Sequence, residues 1–191
     1  MAVPGRLLWG APAVSRRTAE DREAQFAQLF EEYSSAIYNY ALRMVADPDR
    51  AADIAQDTFI KAYRKLDTLT DESSARSWLY RIATNTAIDD MRRRRNVTTM
   101  SDDQPTFANR PDTQPGPEAQ VMAATLDERV QRALLTLRPN HRQCLLLSDL
   151  EDMSAQQIGE VMGLSYGAVR TLLCRARGEM RQALAAEGLS R

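Results

Sequence analysis

The sequence predicts an all-α fold made of two small helical domains joined by a flexible linker. Three observations carry this. Apolar residues recur at three- and four-residue steps through most of the chain. No stretch alternates as a half-buried strand would. One proline-rich interval separates two helical blocks. The 191 residues divide into a disordered N-terminal extension (1–19), a first helical domain (20–95), a Pro-rich linker (96–120) and a second domain with a helix–turn–helix (121–188).

The extension holds Leu7, Leu8 and Trp9 among Pro4, Gly5, Gly10 and Pro12. That apolar run is too short and too broken for a secretory signal or a membrane span. No other segment approaches transmembrane length, so membrane insertion is not expected. From near Thr18, a long amphipathic helix is marked by Phe26, Leu29, Phe30, Tyr33, Ile37, Tyr40, Ala41 and Met44. Asp47-Pro48-Asp49 breaks it. A second helix follows from about Asp49 to Leu66, with Ala52, Ala55, Phe59, Ala62 and Tyr63 on one side. Asp67 to Ser74 is polar and turn-like. A third helix runs from about Ser74 to about Arg95 and carries Trp78, Leu79, Ile82, Ala83, Ile88 and Met91.

Residues 96–120 contain Pro105, Pro111, Pro115, Pro117 and Gly116 with few large apolar residues. A structureless stretch of roughly two dozen residues is rare inside a compact domain and reads as a linker. Helices resume at Val121, with Leu126, Val130, Leu134 and Leu137 as one stripe. Leu137-Arg138-Pro139-Asn140 ends that helix, and His141 to Leu150 forms the next. Ser154 is a natural N-cap. Ile158, Val161 and Met162 follow at helical spacing, and Gly163 occupies the left-handed closing position. Leu164 is expected to plug the angle between the helices. Ser165 caps the last helix, whose inward stripe is Val169, Leu172, Leu173 and Ala176.

Outward on that last helix stand Tyr166, Gly167, Arg170, Thr171, Cys174, Arg175 and Arg177. A helix–turn–helix places its second helix in the major groove, and arginine pairs bidentately with a guanine edge or a phosphate. A helical hairpin with a solvated basic face is the plainer alternative. The Gly163 turn, the two caps and the clean division of faces favour DNA binding.

Formal net charge is −1, whereas a DNA-binding domain is usually basic. The charge is segregated, however. Arg92 to Arg95 form an unbroken run, and Arg170, Arg175, Arg177 and Arg181 share the C-terminal helix. Cys144 and Cys174 are too few for a disulfide framework and read as reduced cytoplasmic thiols. His141 is the only histidine; no metal site or cofactor is expected. With no Gly-rich phosphate loop and no catalytic constellation, an enzyme is disfavoured.

Two stretches point to a family. The first domain reads Asp53-Ile-Ala-Gln-Asp57-Thr-Phe59-Ile-Lys-Ala-Tyr63, then Ser77-Trp78-Leu-Tyr80-Arg81-Ile-Ala-Thr-Asn85-Thr-Ala-Ile-Asp89-Asp-Met-Arg92-Arg. The second reads Leu137-Arg-Pro139-Asn-His-Arg142, then the turn and Val169-Arg-Thr-Leu-Leu-Cys-Arg175-Ala-Arg177. In this order, over residues 24–95 and 121–185, the chain resembles the extracytoplasmic-function (group 4) sigma factors of bacterial RNA polymerase.

The resemblance implies a division of labour. The first domain, sigma region 2, docks on the polymerase clamp helices and melts the −10 promoter element. The second, region 4, meets the polymerase flap and reads the −35 element. By this likeness Asp53, Gln56 and Asp57, sharing a polar face at i, i+3 and i+4, meet the clamp helices with neighbouring Phe59. Arg81, Asn85, Asp89 and Arg92 fall on one exposed ridge that, with Arg93, faces −10 DNA and holds a flipped base against the loop at Asp67 to Ser74. The family often has Asn or a basic residue where this chain has Asp89; a carboxylate accepts from cytosine N4 and cannot donate. Trp78 and Tyr80 can stack on unpaired bases, although helical spacing suits Trp78 to a core position. Tyr166, Gly167, Arg170, Thr171, Cys174, Arg175 and Arg177 would face −35 DNA. The implied partners are core RNA polymerase, promoter DNA and an anti-sigma factor. The implied compartment is the cytoplasm, with storage at the membrane where the anti-sigma factor resides there. The alternative is a stand-alone helix–turn–helix regulator whose first domain senses a ligand or dimerises. It predicts tight DNA binding without polymerase, at a symmetric operator.

Overall fold

A computed structural model describes residues 19–69, 71–98 and 119–189. The expectations for the N-terminal extension and for most of the linker lie outside the described residues. Every regular element among those described is helical. The seven α-helices are α1 (Ala19–Val45), α2 (Pro48–Lys65), α3 (Ala75–Thr98), α4 (Ala119–Thr136), α5 (Pro139–Asp149), α6 (Ala155–Met162) and α7 (Tyr166–Ala186). Short 3-10 turns at Leu66–Thr68 and Glu72–Ser74 join α2 to α3. Both margins of the expected linker are helical, since α3 runs to Thr98 and α4 begins at Ala119.

Local chemistry sets the breaks. Ala46 adopts a left-handed φ of 53° and its N–H closes α1 on Leu42 O at 2.7 Å. The Asp47 carboxylate then accepts from Arg50 N at 3.0 Å, and Pro48 fills the first helical turn, where its missing N–H is no loss. The interval that reads as a breaker is thus an N-cap. At α6, Ser154 and Gln157 form a reciprocal capping box. Gly163 closes α6 at φ 68°, and Ser165 Oγ accepts from Ala168 N at 3.3 Å to open α7.

Leu164 departs from expectation. Its side chain is 39% exposed and plugs nothing. Its backbone carbonyl fills the angle instead: a Cβ on Gly159 would stand 2.7 Å from Leu164 O. Close approach of α6 to the turn therefore requires glycine at 159.

In the first module α1, α2 and α3 pack around Ile37, Tyr40, Met44, Ile54, Phe59 and Leu79. In the second, α5, α6 and α7 enclose Leu147, Ile158, Val169 and Leu173. The two modules also pack on each other. One continuous cluster of buried residues runs from Ile37 to Ala176, with α3 against α6 and α1 against α4 and α5.

Polar contacts reinforce the junction. Arg142, 5% exposed, donates to Leu134 O at 2.8 Å, to Leu135 O at 2.7 Å and to Leu137 O at 3.2 Å at the end of α4. It also donates to Met44 O in the last turn of α1. Burial pushes its pKa down to about 10, which leaves it cationic at neutral pH. Two helix C-termini, each carrying partial negative charge, converge on this one guanidinium.

Candidate nucleic-acid interface

The face of α7 is built by subtraction. Val169, Leu173 and Ala176 are buried, so Tyr166, Gly167, Arg170, Thr171, Cys174, Arg175 and Arg177 are turned outward and all seven are exposed. The Arg170 guanidinium lies 5.9 Å from the centre of the Tyr166 ring, which holds both at the start of the helix. The Thr171 hydroxyl donates to Gly167 O at 3.0 Å, leaving its methyl and a lone pair outward. Arg177 differs from its neighbours. It donates to Asp149 Oδ1 at 2.7 Å and Ser148 Oγ at 3.1 Å, tying α7 to α5.

The ridge on α3 arises the same way. Ile82, Ala83, Thr84, Thr86 and Ala87 are buried, which leaves Arg81, Asn85, Asp89, Arg92 and Arg93 exposed. The adjacent carboxylates have separate fates. Asp90 accepts from Arg50 Nε of α2 at 3.1 Å, and Arg94 leans on it at 3.9 Å. Asp89 stays on the open ridge. Beside the ridge, the loop before α3 is braced by Asp71, whose carboxylate accepts from Ser73 N at 3.1 Å. The Ser73 side-chain and backbone bonds hold that carboxyl below its usual range.

Of the two aromatics near the ridge, Tyr80 departs from expectation and Trp78 keeps the packing position its spacing suits. Tyr80 is fully buried and donates its hydroxyl to Glu151 Oε2, so it offers no stacking platform. Burial, and then Glu151, push its phenol pKa up. Trp78 is half-buried, with its indole N–H on Thr68 Oγ1 at 3.2 Å; it packs as part of the module.

On α2, Asp53, Gln56 and Asp57 are exposed on one face. Phe59 is not on that face. It is 5% exposed and meets Phe30 and Phe26 edge-on at 4.9 and 6.3 Å. It forms the floor of an apolar groove of about 760 Å³ between α1 and α2, walled by Phe26, Phe30, Ile60 and Tyr63, with Gln56 at the rim. Phe30, Ile60 and Tyr63 are 49, 41 and 39% exposed; periodicity puts Phe30 and Tyr63 in the apolar stripes of their helices and does not single out Ile60. A signal was present. The buried face of α2 is Ala51, Ile54, Thr58, Phe59 and Ala62, so the stripe of Ala52, Ala55 and Tyr63 is a second apolar face, more than a core needs. A comparable groove of about 740 Å³ opens between α4, α5 and α7, lined by Val130, Leu146, Leu150, Met180 and Leu184.

His141 Nδ1 lies 2.7 Å from Glu179 Oε2 and braces α5 against α7. Among the described residues no helix is long and apolar enough to cross a membrane.

Comparison with known proteins gives a consistent result. Residues 29–97 match the family profile Sigma-70 region 2, and residues 127–180 match Sigma-70, region 4. The RNA polymerase sigma factor YlaC of Bacillus subtilis is 33% identical over 156 residues, covering 81% of this chain and 88% of that protein. The RNA polymerase sigma-H factor of Pseudomonas aeruginosa is 32% identical over 177 residues, covering 90% and 91%. Among solved structures, CnrH in complex with the cytosolic domain of CnrY superposes with a TM-score of 0.64 at 27% identity. That match covers 86% of this chain and 90% of CnrH.

Proposed function

The chain belongs to the sigma-70 family, among its extracytoplasmic-function members, and from that premise we propose how its surfaces divide the work of promoter-directed transcription initiation. It acts with core RNA polymerase and promoter DNA, and an anti-sigma factor is its third partner. It performs no chemistry of its own and works in the cytoplasm.

Residues 20–95 form the module that binds polymerase and opens the −10 element. Asp53, Gln56 and Asp57 are the polar lip, and the groove floored by Phe59 is the apolar seat, for the clamp helices. The α3 ridge of Arg81, Asn85, Asp89, Arg92 and Arg93 faces the separating strands. Asn85 both donates and accepts and so reads a base edge; the arginines hold phosphates. Residues 121–188 form the module that reads the −35 duplex, with Arg170, Thr171, Cys174 and Arg175 toward the bases. The groove between α4, α5 and α7 is the seat for the flap.

One observation carries this reading: a basic ridge and a recognition helix stand exposed on two modules of one chain, in family order. The test is reconstitution. The chain is added to core polymerase on a supercoiled template bearing candidate promoters, and start sites are mapped. Discrete starts that depend on the added chain are expected. Tight binding to a symmetric site without polymerase, and no starts with it, would replace this reading by that of a stand-alone regulator.

A further inference from the structure

Glu151 sits in the turn between α5 and α6 and is 8% exposed. A carboxylate so buried persists only when its oxygens are hydrogen-bonded or ion-paired. Both partners come from the other module. Tyr80 donates its hydroxyl to Glu151 Oε2, and Arg76 donates to Glu151 O while standing 3.5 Å from the carboxylate. Tyr80 and Arg76 lie on α3, the helix that carries the −10 ridge. Arg142 and Met44 O bridge the modules elsewhere. So do Gln131 and Arg43, with bonds of 3.0 Å from Gln131 Nε2 to Arg43 O and 3.2 Å from Arg43 Nη1 to Gln131 Oε1.

This packed arrangement is too small for a promoter. The −10 and −35 elements are 25 base pairs apart by their names, about two and a half turns or ~85 Å of duplex. In the closed chain α3 packs on α6, and α6 packs on α7. Packed helices lie about 8–10 Å apart, so the two DNA-facing helices approach within ~20 Å of each other. Leu172 of α7 and Ile88, Met91 and Arg92 of α3 even line one shared pocket. No tilt of these helices recovers the missing distance; the modules must separate.

We propose that Glu151, gripped by Tyr80 and Arg76, is a latch that keeps the free chain closed, and that polymerase and promoter can be engaged together only after it releases. The inference rests on the assignment of α3 and α7 to the two promoter elements. The closed chain is then a resting state, and the apparent affinity for polymerase is the intrinsic affinity multiplied by the fraction of chains that is open. Glu151 is well suited to this. Solvation replaces its bonds on opening, so the module that carries it stays folded when the latch parts.

The experiment compares full-length wild type with Glu151→Gln and with the double variant Arg76→Ala/Tyr80→Phe. Solution X-ray scattering gives compactness, and stopped-flow fluorescence gives association with core polymerase. Wild type alone is expected to be compact. The variants should show a larger radius of gyration, unchanged helical circular dichroism and association about tenfold faster, the equivalent of one charge-assisted hydrogen bond. If Glu151→Gln loses helix content, Tyr80→Phe alone decides, because it removes one hydroxyl and keeps the ring. An extended wild-type chain, or folded variants as compact and as slow as wild type, overturns the latch. Promoter-dependent transcription by wild type is scored in parallel: its presence in either of those cases leaves the sigma assignment standing, and its absence removes that assignment instead.

Discussion

Arg177 Nη2 lies 2.7 Å from Asp149 Oδ1, so one of the arginines on the face of α7 is held by the protein itself. The pair joins the recognition helix to α5 and fixes its pitch relative to the rest of the module. Arg170 and Arg175 are the exposed arginines of that face that the proposed function turns toward DNA.

The two kinds of arginine should separate on mutation. Arg175→Ala is expected to weaken −35 duplex binding by about 1–3 kcal/mol. Arg177→Ala should cost at most about 1 kcal/mol of stability, as exposed pairs do, and much less DNA affinity. Fluorescence anisotropy with labelled duplex, beside urea denaturation, checks both. Equal losses of affinity would mean that Arg177 leaves Asp149 when DNA arrives.

Asn85 offers a second separation. It is exposed on α3 between buried Thr84 and Thr86, so Asn85→Ala removes no packing. Promoter opening, read by permanganate reactivity of unpaired thymines, should fall about tenfold or more, the loss of one bidentate base contact. Affinity for core polymerase should not change. A parallel loss of polymerase binding would assign Asn85 to the protein interface.

Gly159 and Gly178 make a matched pair. A Cβ at Gly159 would meet the Leu164 carbonyl at 2.7 Å, whereas one at Gly178 meets nothing within 4 Å. Gly159→Ala should destabilise the second module by about 1–3 kcal/mol. Gly178→Ala should stabilise it by about 1 kcal/mol, since glycine is a poor helix former. Thermal denaturation followed by circular dichroism would show midpoints moving in opposite directions; a harmless alanine at 159 would refute the tight turn.

Alkaline pH should loosen the fold through Cys144. Burial pushes this thiol up to about 11 from 9.0. A folded pKa above the unfolded one contributes stability that is complete below about pH 9 and lost as pH rises to about 11. Burial raises the Tyr40 and Tyr80 phenols as well, in the same direction. Wild type should therefore lose about 2 kcal/mol more than Cys144→Ala between pH 9 and pH 11. Denaturant titrations across that range test it, and parallel slopes for the two proteins would count against a buried thiol.

The helices and their punctuation were legible because they are written locally. Ser154, Gly163 and Ser165 announce a capped helix, a left-handed close and a second cap within twelve residues, and each occupies that role. The outward faces of α3 and α7 were legible because the apolar period leaves only one side for them. What stayed hidden was long-range. Tyr80 reads as an aromatic near a DNA ridge until Glu151, 71 residues away, is seen to take its hydroxyl. Arg142 reads as one more charge, yet it is buried against two helix ends. Phe59 shares a helix with the polar lip, but periodicity alone does not say which of two apolar stripes is roofed by another helix.

Arg142 divides its grip unevenly: three of its carbonyl partners, on Leu134, Leu135 and Leu137, belong to the second module and only one, on Met44, to the first. Undocking therefore forfeits a single bond at that point, which water readily restores, while the knot that binds the second module to itself remains tied. The joint is a snap fastener sewn firmly to one side, able to part and close many times without unpicking the cloth.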